Sequence, residues 1–435
     1  MERIRSSELG AHVGERVRVA GWLQSLRRLG AVSFLVVRDG WGTVQAVVAD
    51  DARLAPLREA GCEVESVVEV EGTVVANAQA RSGVELHAPD VRVVSAVTEA
   101  PPVRLDKKLG NAPVPTLLAQ AVVANRHPSR RAIFRLGAAA MRGFRGALDA
   151  RGFVEIQSPK LVEGATEGGA NVFEVKYFER IAHLAQSPQL YKQIMVGVFE
   201  RVYEVGPVFR AEPHDTARHI NQYTSMDVEL GFIDGPGDVM RVLTEVLAEI
   251  VRELGAACAA ELAQLGAVLP AVPARIPELH FSEAQALIAG ALGERERDQP
   301  DLSPEGERWL GRWAVEQHGS DFLFVVGYPM VKRPFYTHPD AARPAYSASF
   351  DLLFRGTELV TGGQRLHRYE DYIAALAARG MRSEPLAAYL DGFRYGMPRH
   401  GGFAIGLERL LMQLVGLPNI RLAVLFPRDL TRLAP

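Results

Sequence analysis

The sequence predicts an α+β protein: a small N-terminal β-barrel, then a larger domain whose mainly antiparallel sheet is flanked by helices. Three observations predict it. Residues 1–97 are valine-rich and run in short alternating stretches cut by glycine turns. Residues 98–130 carry Pro101, Pro102, Pro113, Pro115 and Pro128, a density that suits a hinge or linker rather than a regular element. From 131 to 435, helical periodicities interleave with short apolar runs whose loops hold unusual polar residues.

In the first segment, Val17-Arg18-Val19-Ala20-Gly21-Trp22 and Val67-Val68-Glu69-Val70-Glu71-Gly72 alternate in the manner of strands with one buried face. Ser33 to Gly40 followed by Thr43 to Val48 reads as a hairpin. About five such strands close a barrel of the kind that offers one face to single-stranded nucleic acid. Past the hinge, Ile133, Phe134, Leu136, Met141, Phe144 and Leu148 recur at helical steps and predict an amphipathic helix that ends near Gly152. Phe153 to Ile156 reads as a strand closed by Ser158-Pro159. Further strands are expected over 201–209, 224–232, 348–353 and 404–405, and helix over the alanine- and leucine-rich stretch 234–275. No internal repeat is visible.

At 435 residues the chain is too long for one ordinary core, and two or three domains are expected. A net charge of -3 gives no bulk attraction to nucleic acid, so any RNA contact has to come from local basic patches. Cys62 and Cys258 stand far apart, which argues against a disulfide framework or a cysteine zinc site and points to the reducing cytoplasm. The start Met1-Glu2-Arg3-Ile4-Arg5 has no apolar signal core, and no apolar run reaches the roughly 20 residues a membrane helix needs.

Three strings carry chemistry. Phe209-Arg210-Ala211-Glu212, followed by Arg218-His219, places two arginines around a loop between strands, where a guanidinium could neutralise charge developing on a nucleotide phosphate. Phe354-Arg355-Gly356-Thr357-Glu358-Leu359-Val360-Thr361-Gly362-Gly363-Gln364-Arg365 offers the Glu358 carboxylate and the Thr361 hydroxyl as oxygen ligands suited to magnesium. Gly401 to Leu411 has glycines that let backbone approach a ligand, then Arg409 near a helix start, where it could hold a terminal phosphate. Standing alone, the Arg210 string reads better as a solvated turn and the Gly401 string as a common glycine turn, and Glu358 reads equally well as a surface ion pair with Arg355.

Taken in this order, the strings resemble motifs 2 and 3 of the class II aminoacyl-tRNA synthetases, at Val208 to Glu229 and Gly402 to Leu411. Arg131 to Val162, ending in Gln157-Ser158-Pro159-Lys160, is similar to motif 1, which in the family forms a dimer interface. The N-terminal barrel resembles the anticodon-binding OB-fold of subclass IIb. Ala165-Thr166-Glu167-Gly168-Gly169, Leu184 to Gln193 and Thr361-Gly362-Gly363-Gln364-Arg365 are similar to the archaeal-type aspartyl-tRNA synthetases, and the resemblance covers nearly the whole chain. It divides the chain into an OB-fold over 1–97, a linker over 98–130 and a catalytic domain over 131–435.

The resemblance implies L-aspartate, ATP and tRNA as substrates and Mg2+ as cofactor. It gives Glu167 the substrate ammonium, Gln189 the orientation of the amino acid, and Lys192 with Arg365 the side-chain carboxylate, cations that an aspartate pocket needs. Arg210 would bridge the aspartate carboxylate and the α-phosphate, and Glu212 would reach the adenine side. Arg218 and His219, next to Ile220, fall where the outer phosphates are held, and Gly406, Leu407, Glu408 and Arg409 where ATP is closed in. Glu358 and Thr361 fall at the magnesium position, the latter replacing the serine of the closest pattern. Arg210, Glu358 and Arg409 are the residues whose loss would mark a catalytically silent relative.

In the barrel, Phe34 matches the family's stacking aromatic, Gln45 its hydrogen-bonding neighbour and Arg27 its nearby arginine. The loop around Gln24 and the turn at Asn77 to Gln79 fall where relatives separate the anticodons for aspartate and asparagine. The chain resembles the second, archaeal-like enzyme of some bacteria, which implies charging of tRNA(Asn) as well as tRNA(Asp) and a tRNA-dependent amidotransferase downstream. A discriminating aspartyl enzyme and an asparaginyl-tRNA synthetase remain the alternatives.

Overall fold

The computed structural model describes residues 1–80, 82–106, 109, 112–164, 171–297 and 299–435. The chain divides into two compact units, Met1–Pro128 and Ser129–Pro435.

In the first unit, valine alternation becomes β1 (Arg16–Leu29), β2 (Val32–Arg38), β3 (Thr43–Val48), a short α1 (Ala55–Glu59), β4 (Val67–Ala76) and β5 (Val84–Ser95). The five strands close into a barrel in the order β1-β2-β3-β5-β4. Its interior is the inward half of each alternation, including Val17, Val19, Leu35, Val37, Val68, Val70 and Leu86. A Cβ at Gly21 would lie 2.2 Å from the Arg38 carbonyl oxygen, so only glycine lets β1 pass so close to the end of β2.

The expectation that 98–130 holds no regular element is corrected by α2 (Val114–Ala119) and α3 (Ala121–Ala124). Pro113 caps α2 and Pro115 lies in its first turn, where a missing N–H breaks no helical bond.

The second unit runs α4 (Pro128–Asp149), β6 (Val154–Glu155), β7 (Leu161–Val162), β8 (Glu174–Tyr177), β9 (Arg180–Leu184), α5 (Gln189–Phe199), β10 (Arg201–Phe209) and β11 (Gln222–Gly231). It continues through α6 (Pro236–Ala257), α7 (Ala259–Leu265), β12 (Glu278–His280), α8 (Phe281–Leu292), α9 (Pro304–His318) and β13 (Phe322–Val326). It closes with β14 (Ser349–Phe354), β15 (Thr357–Gln364), α10 (Tyr369–Ala378), α11 (Ala387–Arg394), β16 (His400–Gly406) and α12 (Leu407–Val415).

Eight strands form one sheet in the order β12-β13-β14-β15-β16-β11-β10-β6. All pairs are antiparallel except the outermost ones, β12 with β13 and β10 with β6. Ile133, Leu136 and Phe144 of α4 share one core with Val239, Val246 and Ile250 of α6 and with Phe403 and Ile405 of the sheet. A Cβ at Gly143 would meet the Ile250 Cα at 2.8 Å, so this glycine sets how closely α4 and α6 pack. A smaller antiparallel sheet, β7-β9-β8, stands apart. Among the described residues no helix is long and apolar enough to cross a membrane.

Candidate active site

The central strands β11, β14, β15 and β16, with the loop that follows β10 and the starts of α5 and α12, enclose a cavity of about 670 Å3. It is lined by Gln189, Lys192, Arg210, Glu212, Arg218, His219, Ile220, Glu358, Thr361, Arg365, Gly406, Glu408 and Arg409. Leu407 is not brought there by its side chain. As the first residue of α12, it turns into the core instead. Glu167 lies outside the described residues.

At one end of the cavity the charges are set by β15. A simple strand would put Glu358 and Thr361, three residues apart, on opposite faces. The pairing steps from Val360–Leu352 to Glu358–Leu353, a bulge that makes Leu359 an extra residue and returns both side chains to the cavity. Arg409 Nη1 donates to the Glu358 carbonyl at 2.9 Å and to its carboxylate at 3.1 Å. Glu307 of α9 accepts the Glu358 backbone N–H at 3.4 Å and lies 3.9 Å from Arg218. Burial first, then the Glu358 charge, pushes the Glu307 carboxyl up to about 7. Asp351 is pushed up to about 6 by burial, with Arg333 opposing and Glu358 adding to the rise, and it accepts a hydrogen bond from Thr361.

This gathering of acids fits a hard divalent cation. Among the described residues no three such groups converge to hold a metal by themselves. Magnesium does not require three, because it binds through one or two carboxylates and completes its shell with phosphate oxygens and water. Glu358 and the Thr361 hydroxyl, backed by Asp351, are the residues that would hold such an ion.

Arg210 follows β10 directly, and its guanidinium lies 5.7 Å from the Tyr223 ring and 3.8 Å from Glu212. The loop from Arg210 to Asn221 is pinned by the buried Arg421, which holds Asp215, the Thr216 carbonyl and Asp429. His219 accepts or donates at Thr216 Oγ1, 2.6 Å away, and burial depresses its pKa.

At the other end, Lys192 is 1% exposed and donates to Asp227 at 2.9 Å and to the carbonyls of Val228 and Phe403. Glu229 accepts from Arg365 Nε at 3.0 Å and lies 3.4 Å from Lys192. Burial pushes the Glu229 carboxyl up, and Arg365 and Lys192 outweigh it and hold the group below the usual carboxylate range. Both expected cations are therefore present, each already matched to a buried acid. An unmatched pair of buried cations would cost several kcal/mol, on the order of the desolvation of each ion.

A profile described as tRNA synthetases class II (D, K and N) matches residues 114–430, and one described as OB-fold nucleic acid binding domain matches residues 17–94. The chain belongs to the class II aminoacyl-tRNA synthetases. An aspartate-tRNA(Asp/Asn) ligase of Thermus thermophilus is 48% identical, with 100% of each chain covered. An aspartate-tRNA(Asp) ligase of Pyrococcus horikoshii is 36% identical, with 97% of each covered. The crystal structure of asparaginyl-tRNA synthetase from Pyrococcus horikoshii complexed with asparaginyl-adenylate superposes with a TM-score of 0.91 at 32% identity, covering 100% of both chains.

In this synthetase the motif 3 glycines have a different physical reason from the one the sequence suggested. A Cβ at Gly402 would lie 2.0 Å from the Val228 carbonyl and 2.2 Å from the Glu229 carboxylate, and one at Gly401 would lie 2.6 Å from the Gly363 carbonyl. They make room for the neighbouring strands and for Glu229, whereas Gly406, where a Cβ would make only an ordinary contact with the Arg409 Cβ at 3.8 Å, is the one that lines the cavity. Glu408 is likewise structural: both its oxygens accept the Thr224 N–H at 3.0 Å, and burial pushes its carboxyl up to about 7.

The synthetase's barrel places Phe34 and Arg27 opposite each other across β1 and β2, and Gln45 opposite Val36 on β3. Phe34 is half-buried on the outward face rather than in the core, and Gln45 donates to Glu85 at 2.8 Å.

Sequence reading passed over Asp301, Ser349, Arg333 and Tyr336, which also line the cavity, and the counter-ions Asp227, Glu229 and Asp351. The acids were visible only as charges set among apolar strand residues, Met226, Val228 and Leu230 beside Asp227 and Glu229 and Phe350 and Leu352 beside Asp351, a pattern that marks a buried charge with a partner.

Proposed function

We propose that the chain is an aspartate-tRNA ligase that activates L-aspartate with ATP in the cytoplasm and charges tRNA(Asp) and also tRNA(Asn). The observation that carries this is one cavity with a cation pair at one end, Lys192 and Arg365, and phosphate-directed arginines at the other, Arg210, Arg218 and Arg409. In the first step an oxygen of the aspartate α-carboxylate attacks the α-phosphorus as the bond to pyrophosphate breaks. No proton transfer is needed, so positioning and charge stabilisation do the work.

Arg210 holds the carboxylate and the α-phosphate, Glu212 faces the adenine, and Arg218, His219 and Arg409 hold the outer phosphates, with Ile220 and Gly406 walling the nucleotide. Glu167 receives the ammonium group, Gln189 orients the amino acid through hydrogen bonds, and Lys192 with Arg365 receives the side-chain carboxylate. Bound magnesium, held by Glu358 and Thr361, would supply charge neutralisation to the phosphates. The terminal ribose hydroxyl of tRNA then displaces AMP from the adenylate, while the barrel over 1–97 reads the anticodon through Arg27, Phe34 and Gln45.

The relaxed tRNA choice is supported by the 48% identical relative, whose name covers both tRNAs. Mischarged tRNA(Asn) would then pass to an amidotransferase. A homodimer through α4 and β6 completes the reading, and a mass measurement in solution that gives a monomer in the active enzyme opposes it.

The deciding experiment is aminoacylation with radiolabelled aspartate or asparagine, magnesium ATP and separate transcripts of the two tRNAs. Aspartate on both supports the proposal, aspartate on tRNA(Asp) alone makes the enzyme discriminating, and asparagine on tRNA(Asn) reverses the amino-acid assignment.

A further inference from the structure

Behind the amino-acid end of the cavity lies a buried set of polar side chains: Gln189, Gln193, Tyr372, Tyr389 and His400. The direction of each hydrogen bond in it is fixed from two outside points. His400 Nδ1 faces the Pro398 carbonyl at 2.9 Å, and a carbonyl only accepts, so Nδ1 carries the proton. Burial drives the imidazole pKa down to about 4, so the ring is neutral and Nε2 is an acceptor. Independently, Tyr372 spends its single proton on the Leu366 carbonyl at 3.0 Å, so its oxygen is also an acceptor.

Gln193 is 0% exposed and reaches both acceptors, Tyr372 Oη and His400 Nε2, at 3.0 Å each, which places its Nε2 on that side. Its Oε1 is therefore the atom that receives Gln189 Nε2 at 3.0 Å, and it lies 3.0 Å from Tyr389 Oη, whose single proton it shares with Tyr372 Oη at 2.9 Å. With its nitrogen turned back onto Gln193, Gln189 has its oxygen as the acceptor end of the amide for a ligand in the cavity it lines.

We infer that Gln193, oriented by His400 and Tyr372, is a positioning residue that locks the Gln189 amide with its oxygen toward the substrate, so that the pocket presents an acceptor to the amino acid's ammonium group. A freely rotating glutamine would present N–H or C=O alike and would not tell an ammonium from a hydroxyl or a carboxylate. Here the choice is made by two backbone carbonyls far behind the surface. The inference rests on the reading that the cavity binds aspartate against Gln189.

The test uses the full-length enzyme in ATP–pyrophosphate exchange, with succinate, which is aspartate without its ammonium group, as a competitive inhibitor. Q193M deletes the lock without adding charge. The expected result is a KM for aspartate raised roughly ten- to hundredfold, the loss of one hydrogen bond to a charged group, with the KM for ATP and the inhibition by succinate unchanged. Q193E, whose protonated carboxyl donates to His400 and still accepts from Gln189, is expected to restore most of the affinity.

Equal weakening of aspartate and succinate would overturn the proposal, since it would mean a distorted pocket rather than a turned amide. So would a Q193E enzyme as poor as Q193M. If Q193M does not fold, Y372F, which removes one of the two acceptors, carries the same aspartate-against-succinate expectation. Q189A separates the two levels: no change in the KM for aspartate defeats the contact with Gln189 itself, whereas a rise in Q189A without one in Q193M defeats only the lock.

Discussion

Arg409 Nη1 donates to both the main-chain carbonyl and the carboxylate of Glu358, a residue 51 positions earlier, and so ties the first turn of α12 to the bulge of β15. Both side chains keep more than a third of their surface exposed. Exposed pairs contribute about 0–1 kcal/mol to stability, so this one is placed for a ligand rather than for the fold.

R409A should therefore lower adenylate formation while leaving unfolding nearly unchanged. The loss of one donor to developing charge predicts a fall of roughly 10²–10³ in kcat. ATP–pyrophosphate exchange and a urea titration on the same preparation check it, and a large loss of stability would contradict it.

E229Q should do the reverse. Glu229 is 0% exposed and sits against Arg365 and Lys192, and removing one member of such a set costs about 3–5 kcal/mol by leaving a buried charge uncompensated. Its depressed pKa gives the sign: the stabilisation is present above the ordinary carboxylate value and is lost as pH falls through the lower folded value. Denaturant titration at neutral pH, wild type against E229Q, measures it.

G402A tests the packing reason for the motif 3 glycines. The added methyl would sit 2.0 Å from the Val228 carbonyl and 2.2 Å from Glu229 Oε2, neither of which can move without disturbing Lys192 or Arg365. Overpacking of this kind costs about 1–3 kcal/mol. The variant is expected to lose affinity for aspartate more than for ATP, and equal losses would speak for a direct nucleotide contact by Gly402.

How much of this was legible in the sequence depends on the range of the interaction. The strand at 201–209 and the hairpin of β2 and β3 were readable because alternation is local. Arg210, Arg218, Glu358 and Arg409 stood out because each sits in a string with a glycine, a turn or a second charge. The bulge at Leu359 was not readable, since it exists only in the register between β14 and β15. Glu307 and Arg333 were missed because their significance is a contact with residues far along the chain, Glu358 for one and Asp351 for the other.

F34A addresses the barrel by itself. A base stacked on an aromatic ring is worth about 1–3 kcal/mol, so the KM for tRNA should rise roughly five- to hundredfold. Activation of aspartate, which takes place in the other unit, should be unaffected. Aminoacylation against tRNA concentration, set beside pyrophosphate exchange without tRNA, separates the two, and an equal fall in both would mean that Phe34 supports the fold instead of the RNA.

His400 gives a prediction in pH. Its ordinary pKa of 6.5 is driven by burial to about 4 in the fold. Between those values the unfolded chain binds a proton that the folded chain does not, so this group's share of stability is whole above about 6.5 and falls as pH drops toward 4. The full shift corresponds to about 3 kcal/mol. Glu408 acts with the opposite sign, because burial raises its carboxyl from 4.5 to about 7 and its folded form is the one that holds the extra proton in that window. The two largely offset, but Glu307 and Asp351, raised by burial to about 7 and about 6, also hold protons in the folded chain, so the stability of the wild-type enzyme should fall as pH rises from 5 to 7. H400Q removes one side of the balance. Its stability, measured by urea unfolding across that range, should fall more steeply with rising pH than that of wild type, by close to one proton's worth of slope. Parallel profiles for the two proteins would mean that the imidazole titrates alike in the folded and unfolded chains.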